Sequence, residues 1–135
     1  VPNITITNCD SGSVVVELGG TQDGLLENTV AAEVSFPAGT LLAQAAGGHF
    51  LPFATAGVAE LGVPKFVLTY DVTVAASTTL GITALASGKV NQNRLSVHGE
   101  AASAAGTVAV LNTLRDYSII PVDVDQLGSI DNPQA

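Results

Sequence analysis

No β-prone run in this chain goes far before a glycine, a proline or a cluster of Asn, Asp and Ser interrupts it. Val, Ile and Thr, whose side chains suit the pleated surface of a sheet, account for 36 of the 135 residues. Fourteen glycines and six prolines punctuate them. Such a pattern predicts many short strands joined by turns, and only one late segment changes to a helical period. The expected fold class is therefore α+β and β-rich: a small barrel or sandwich-like domain with one short helix in the carboxy-terminal half and an extended amino-terminal arm.

Three segments follow from the punctuation. Residues 1–20 hold two β-prone runs, Asn3–Thr7 and Ser13–Leu18, separated by the turn-like Asn8-Cys9-Asp10-Ser11-Gly12 and closed by Gly19-Gly20. A hairpin before a flexible joint and an extended arm that pairs with a partner both fit. Residues 21–127 form the expected domain. Within it, strands are predicted over Thr29–Phe36, Thr40–Gln44, Lys65–Val74, Thr78–Ala86 and Arg94–Val97, with turns at Pro37-Ala38-Gly39, Gly47-Gly48 and Ser87-Gly88-Lys89. Between Ala101 and Tyr117, Val108, Leu111 and Leu114 make a narrow helical stripe, with Ser103 as N-cap and Arg115 in the last turn, where a cation suits the helix dipole. Ser118–Val124 is extended again around Pro121, and residues 128–135 read as a flexible tail.

Charge narrows the function classes. Only 12% of residues are charged, about half the usual share. Twelve acids stand against four bases, a net charge of -8. Binding to nucleic acid needs basic residues against phosphate, so it is not expected. The longest stretch without Asp, Glu, Lys or Arg, Val34 to Ala59, is long enough for a bilayer, but prolines, glycines and His49 break it into turns, and no membrane span is expected. No basic region precedes an apolar run at the amino terminus, so no secretory leader is expected. A surface built from Thr, Ser, Asn, Gly and Ala is well suited to burial against other subunits.

Candidate chemistry is sparse. Ser96 and His98 share a strand face, but no nucleophile elbow surrounds them, and two polar residues on a sheet is the simpler reading. His49 and His98 lie far apart in sequence, each without a nearby second His or Cys. Asp123, Asp125 and Asp131 could offer oxygens to calcium, but the spacing of a calcium loop is missing and a solvated acidic tail explains them. The Gly81 to Gly88-Lys89 spacing does not match a phosphate-binding loop. Cys9, beside Asp10, has nothing to activate its thiol, and Asn3-Ile4-Thr5 is a formal glycosylation sequon without secretory context. No enzyme activity, metal or cofactor is expected.

The order of elements carries a resemblance. Phe36-Pro37-Ala38-Gly39-Thr40-Leu41-Leu42 is followed by Gly48-His49-Phe50-Leu51-Pro52, then by the Phe66 to Val74 strand, Thr83-Ala84-Leu85-Ala86-Ser87-Gly88-Lys89-Val90 and Asn93-Arg94-Leu95. Leu114-Arg115-Asp116-Tyr117-Ser118-Ile119-Ile120-Pro121 makes a closing element. From Thr21 to about Leu127 this order resembles the head decoration, or capsid cement, proteins of tailed phages, the group that includes the lambda head decoration protein. The resemblance implies a β-tulip type of domain and a homotrimer on the outer capsid surface of a virion that stabilises the shell by bridging subunits of the major capsid protein. It also implies an amino-terminal arm that adds a strand to a capsid subunit. The matching positions are Ile4, Thr5, Ile6, Val14, Val15 and Val16. The chain departs from the simplest members in having two β runs in its arm. Two other readings remain: a fibre or tail subunit that polymerises by strand donation, and a calcium- or carbohydrate-binding module.

Overall fold

The computed structural model describes residues 14–123. Ten strands surround two apolar clusters: β1 (Val15–Leu18), β2 (Thr21–Glu27), β3 (Val34–Phe36), β4 (Leu41–Gln44), β5 (Phe50–Pro52), β6 (Phe66–Leu68), β7 (Val72–Val74), β8 (Thr79–Leu85), β9 (Gly88–Asn91) and β10 (Ile119–Val122). The helix α1 (Val108–Asp116) precedes β10. Five strands close a barrel in the order β2-β5-β4-β6-β8. A three-stranded sheet, β1-β9-β10, and a two-stranded ribbon, β3-β7, take up the other described strands. The fold is a β-rich α+β domain with a small barrel and one helix, as the punctuation predicts.

The barrel is sealed unevenly. β2 and β8 pair antiparallel over seven residue pairs, from Thr21↔Leu85 to Glu27↔Thr79. At the opposite seam β2 and β5 run parallel and meet at one pair, Leu26↔Phe50. Side chains complete that seam. The Phe50 ring lies so close to Gly24 that an added Cβ would fall 2.7 Å from it. It also packs edge-on against Phe66, with ring centroids 4.8 Å apart.

Two barrel strands, β4 and β6, are buried on both faces, which explains their unbroken apolar runs. Leu42, Phe66, Leu68, Ile82 and Ala84 point into the barrel beside Leu26 and Phe50. Leu41, Ala43, Val67 and Leu85 point outward into a second cluster, where Val90, Leu111, Leu114 and Ile119 cover them. The helix and the sheet β1-β9-β10 thus form a layer over one side of the barrel. The parallel pairing of β10 with β9, Pro121↔Val90 among its registers, lets α1 return the chain across that layer.

Several boundaries differ from the predicted ones, each for a local reason. Thr29–Phe36 is a strand only from Val34, because Asn28 organises the turn before it. The Asn28 amide donates to the Ala32, Val74 and Ala75 carbonyls, and its oxygen accepts from Val30 N, so Val30 is left exposed. Lys65–Val74 is two strands: β6 belongs to the barrel, β7 to the ribbon, and Asp71 at the break accepts from Ala38 N at 2.8 Å. Arg94–Val97 contributes only an isolated bridge, Thr40↔Ser96, although Leu95 and Val97 are buried. The predicted helix is a 3-10 turn, Ala102–Gly106, followed by α1. Thr107, not Ser103, caps α1, accepting from Val110 N at 3.4 Å. Its buried residues are Val110, Leu111 and Leu114, while Val108 stands exposed.

Candidate functional site

The expected strand-adding arm falls in two parts. Ile4, Thr5 and Ile6 lie outside the described residues, as do Cys9, the sequon, Asp125 and Asp131. Val14, Val15 and Val16 are half-buried at the start of an edge strand. β1 pairs antiparallel with β9 of the same chain, with a bulge between Val15 and Glu17. Asn91 N donates to Val14 O at 2.8 Å, and the Val14 side chain packs against the cluster around α1. The second β run of the amino-terminal segment is therefore part of the domain's own sheet. It forms one margin of that sheet, at the point where residues 1–13 lead in.

Gly19-Gly20 is not a free joint. Gly20 N donates to Ser87 Oγ at 2.6 Å, and Gly20 O accepts from Ala86 N and Ser87 N. A Cβ at Gly19 would fall 2.5 Å from Ser87 O. Gly88, at φ +136, presses against Glu17 O with the same clearance. The two glycine positions let the β1–β2 connection and the β8–β9 turn cross in backbone contact, a close approach that side chains would prevent. This clamp fixes β1 to the body.

The other candidates resolve separately. Ser96 and His98 share no hydrogen bond among the described residues, and His98 instead packs on Phe36, ring centroids 4.9 Å apart. His49 Nδ1 lies 4.0 Å from Glu27 Oε1, beside the one-pair seam of the barrel. Asp123 Oδ1 accepts from Asn93 Nδ2 at 3.1 Å. No group of three or more potential metal ligands occurs among the described residues. None of the described helices is long and apolar enough to cross a membrane.

Sequence reasoning missed a carboxylate clamp. Glu100 Oε1 accepts from Thr55 Oγ1, and Oε2 accepts from Thr55 N. These two bonds, the hydroxyl's first, hold the Glu100 carboxyl below the ordinary glutamate value. Thr55 and Glu100 edge a cleft of about 380 Å³ between the 54–64 loop and α1, floored by Phe53 and Val110. No spacing signal links residues 45 positions apart, so the pair was not visible in sequence.

The exposed charges lie on two surfaces. Lys89 on β9 sits between Glu17 on β1 and Ile120 on β10. Lys65 Nζ lies 5.2 Å from the centre of the Tyr117 ring, and Arg115 is in the last turn of α1. These three cations thus belong to the covering layer or touch it, together with the acids Glu17 and Asp116. The outward face of β2 and β8 is different. Since Gly24, Leu26, Ile82 and Ala84 face inward, alternation turns Asp23, Leu25 and Glu27 outward, with Gly81 opposite Leu25. That face carries acids and exposed Leu25, and Tyr70, also exposed, accepts from Thr83 N at its margin. No model of a known protein family matches this chain, and no curated protein matches it.

Proposed function

We propose that this chain is a structural protein of a phage virion. It binds the outer surface of the capsid as a trimer and stabilises the shell by bridging subunits of the major capsid protein. The observation that carries the reading is the edge position of β1. The segment with the Ile4-Thr5-Ile6 run enters the domain at a sheet margin, where an extended arm can leave one body and pair with another. The order of turns and strands shared with capsid cement proteins supports it, as does a surface poor in charge. Bridging works mechanically: each arm adds main-chain hydrogen bonds across a joint, and many weak contacts per assembly sum to avidity.

The test is cosedimentation with expanded phage capsids. The full chain should pellet with the heads, and a chain starting at residue 14 should remain folded but stay in solution. Normal decoration by that truncated chain would remove the arm from the mechanism. Filaments formed by the full chain without any capsid would favour the strand-donating fibre or tail subunit instead.

A further inference from the structure

Three glycines lie in the described strands, and two of them have a structural reason. Gly24 makes room for the Phe50 ring, and Gly88 has a positive φ and meets Glu17 O. Gly81 has neither. Its backbone is ordinary strand backbone, and an added Cβ would meet nothing nearer than Leu25 Cδ2, at 4.0 Å. No bulge interrupts the β2–β8 ladder beside it. Glycine weakens a strand interior relative to residues with a side chain, and where neither a bulge nor close packing requires it, it marks a place that a ligand approaches closely. The gap at Gly81 opens on the outward face of the ladder, in a shallow dish of about 470 Å³. Leu25 and Tyr70, both exposed, border the dish with apolar surface, and Asp23 and Thr83 border it with polar atoms. Those polar atoms are preset by Thr83. Its hydroxyl donates to Asp23 Oδ1 at 2.6 Å, and its N–H donates to the Tyr70 phenol oxygen at 3.0 Å. The carboxylate and the ring are thereby oriented, while Asp23 Oδ2 is left to accept and the phenol proton to donate.

We propose that this dish binds a neutral sugar ring, a hexopyranose of a glycan. A pyranose has an apolar C–H face and a belt of hydroxyls that both donate and accept. Tyr70 and Leu25 take the C–H face. Asp23 Oδ2 accepts from one hydroxyl in a charge-assisted bond, and the Tyr70 phenol donates to another. The missing side chain at position 81 lets the ring lie on the strand backbone, low enough to reach both rims. The lining disfavours other ligands. No basic side chain borders the dish, so an anion finds no counter-charge there. An ammonium group carries donors only, so it would satisfy Asp23 and leave the phenol proton without an acceptor. The inference goes beyond the virion reading and does not rest on it, since the arm enters through β1, in a different sheet.

The test follows the backbone amide signals of the full chain by NMR while methyl glycosides of glucose, galactose and mannose are added, one at a time. At least one glycoside should move the Asp23, Leu25, Gly81 and Thr83 signals saturably, and n-butylammonium chloride at the same concentrations should not. Gly81→Val fills the dish with a side chain that suits a strand. It should melt no lower than the wild type and show no saturable shift. Asp23→Ala, checked for an unchanged fold by its amide spectrum, should bind about tenfold more weakly, as the loss of one hydrogen bond to a charged group does. The proposal is overturned if none of the three glycosides moves these signals, or if the shifts gather on another surface. Folded Gly81→Val that binds as well as the wild type would overturn it too, as would equal shifts with n-butylammonium.

Discussion

Glu100 holds the 54–64 loop with one side chain. Both of its oxygens accept from Thr55, and the carboxylate is thereby favoured over the acid. A carboxyl whose folded value is depressed stabilises the fold above its unfolded value and loses that contribution as the pH falls through the folded one. The side chain is exposed, so solvent screens the effect. We therefore expect Glu100→Gln to melt slightly below the wild type at neutral pH, with the difference vanishing well below the ordinary value of 4.5. Melting curves across that range check it, and a constant difference at every pH would count against the clamp. Gly39 shows the opposite kind of residue, legible from its turn but not for the right reason. Pro37-Ala38-Gly39 announces a turn. The need for glycine comes from a φ of +95 and from Arg94 O, which would lie 1.9 Å from a Cβ. That neighbour arrives from 55 residues later, where no local pattern could announce it.

At the scale of elements, legibility followed the burial pattern. β8 was plain because it is long and alternates inward Ile82 and Ala84 with outward Gly81 and Thr83. β6 and β7 read as one strand because Phe66, Leu68, Tyr70 and Val72 keep a period of two across a break that Asp71 makes by capping a different loop. The helix read four residues too broadly at its cap because Ala102–Gly106 also turns, but with 3-10 geometry. The arm was the costliest ambiguity: pattern alone left it between a free strand and a packed one, and its second run is the packed β1. Deleting residues 1–18 should then destabilise the domain by about 3 kcal/mol, roughly 1 kcal/mol for each half-buried valine from Val14 to Val16. The comparison is with a chain that lacks only residues 1–13. Denaturant midpoints of the two truncated chains decide, and equal midpoints would show that β1 contributes nothing to the body.

Taken whole, the molecule is a barrel dressed on one side. The helix and the β1-β9-β10 sheet cover β4 and β6, while the longest ladder of the barrel, β2–β8, turns its outer surface to solvent. Composition announced a surface poor in charge but not that Lys65, Lys89 and Arg115 gather at the covering layer, since that depends on which strands the layer crosses. The one-pair seam between β2 and β5 has a consequence for how such a body bears load. A hoop fails at its clasp, and here the clasp is one ring pressed on Gly24 and a carboxylate facing an imidazole rather than a ladder. The amides of β5 should exchange with solvent by an opening that costs less than the one releasing β8, and native-state hydrogen exchange would see it; equal protection of both strands would contradict this. Tension applied along β2 and β8 would be shared by seven residue pairs, whereas tension across Leu26 and Phe50 would fall on a single hook. A body of this design tolerates being pulled in one direction far better than in the other.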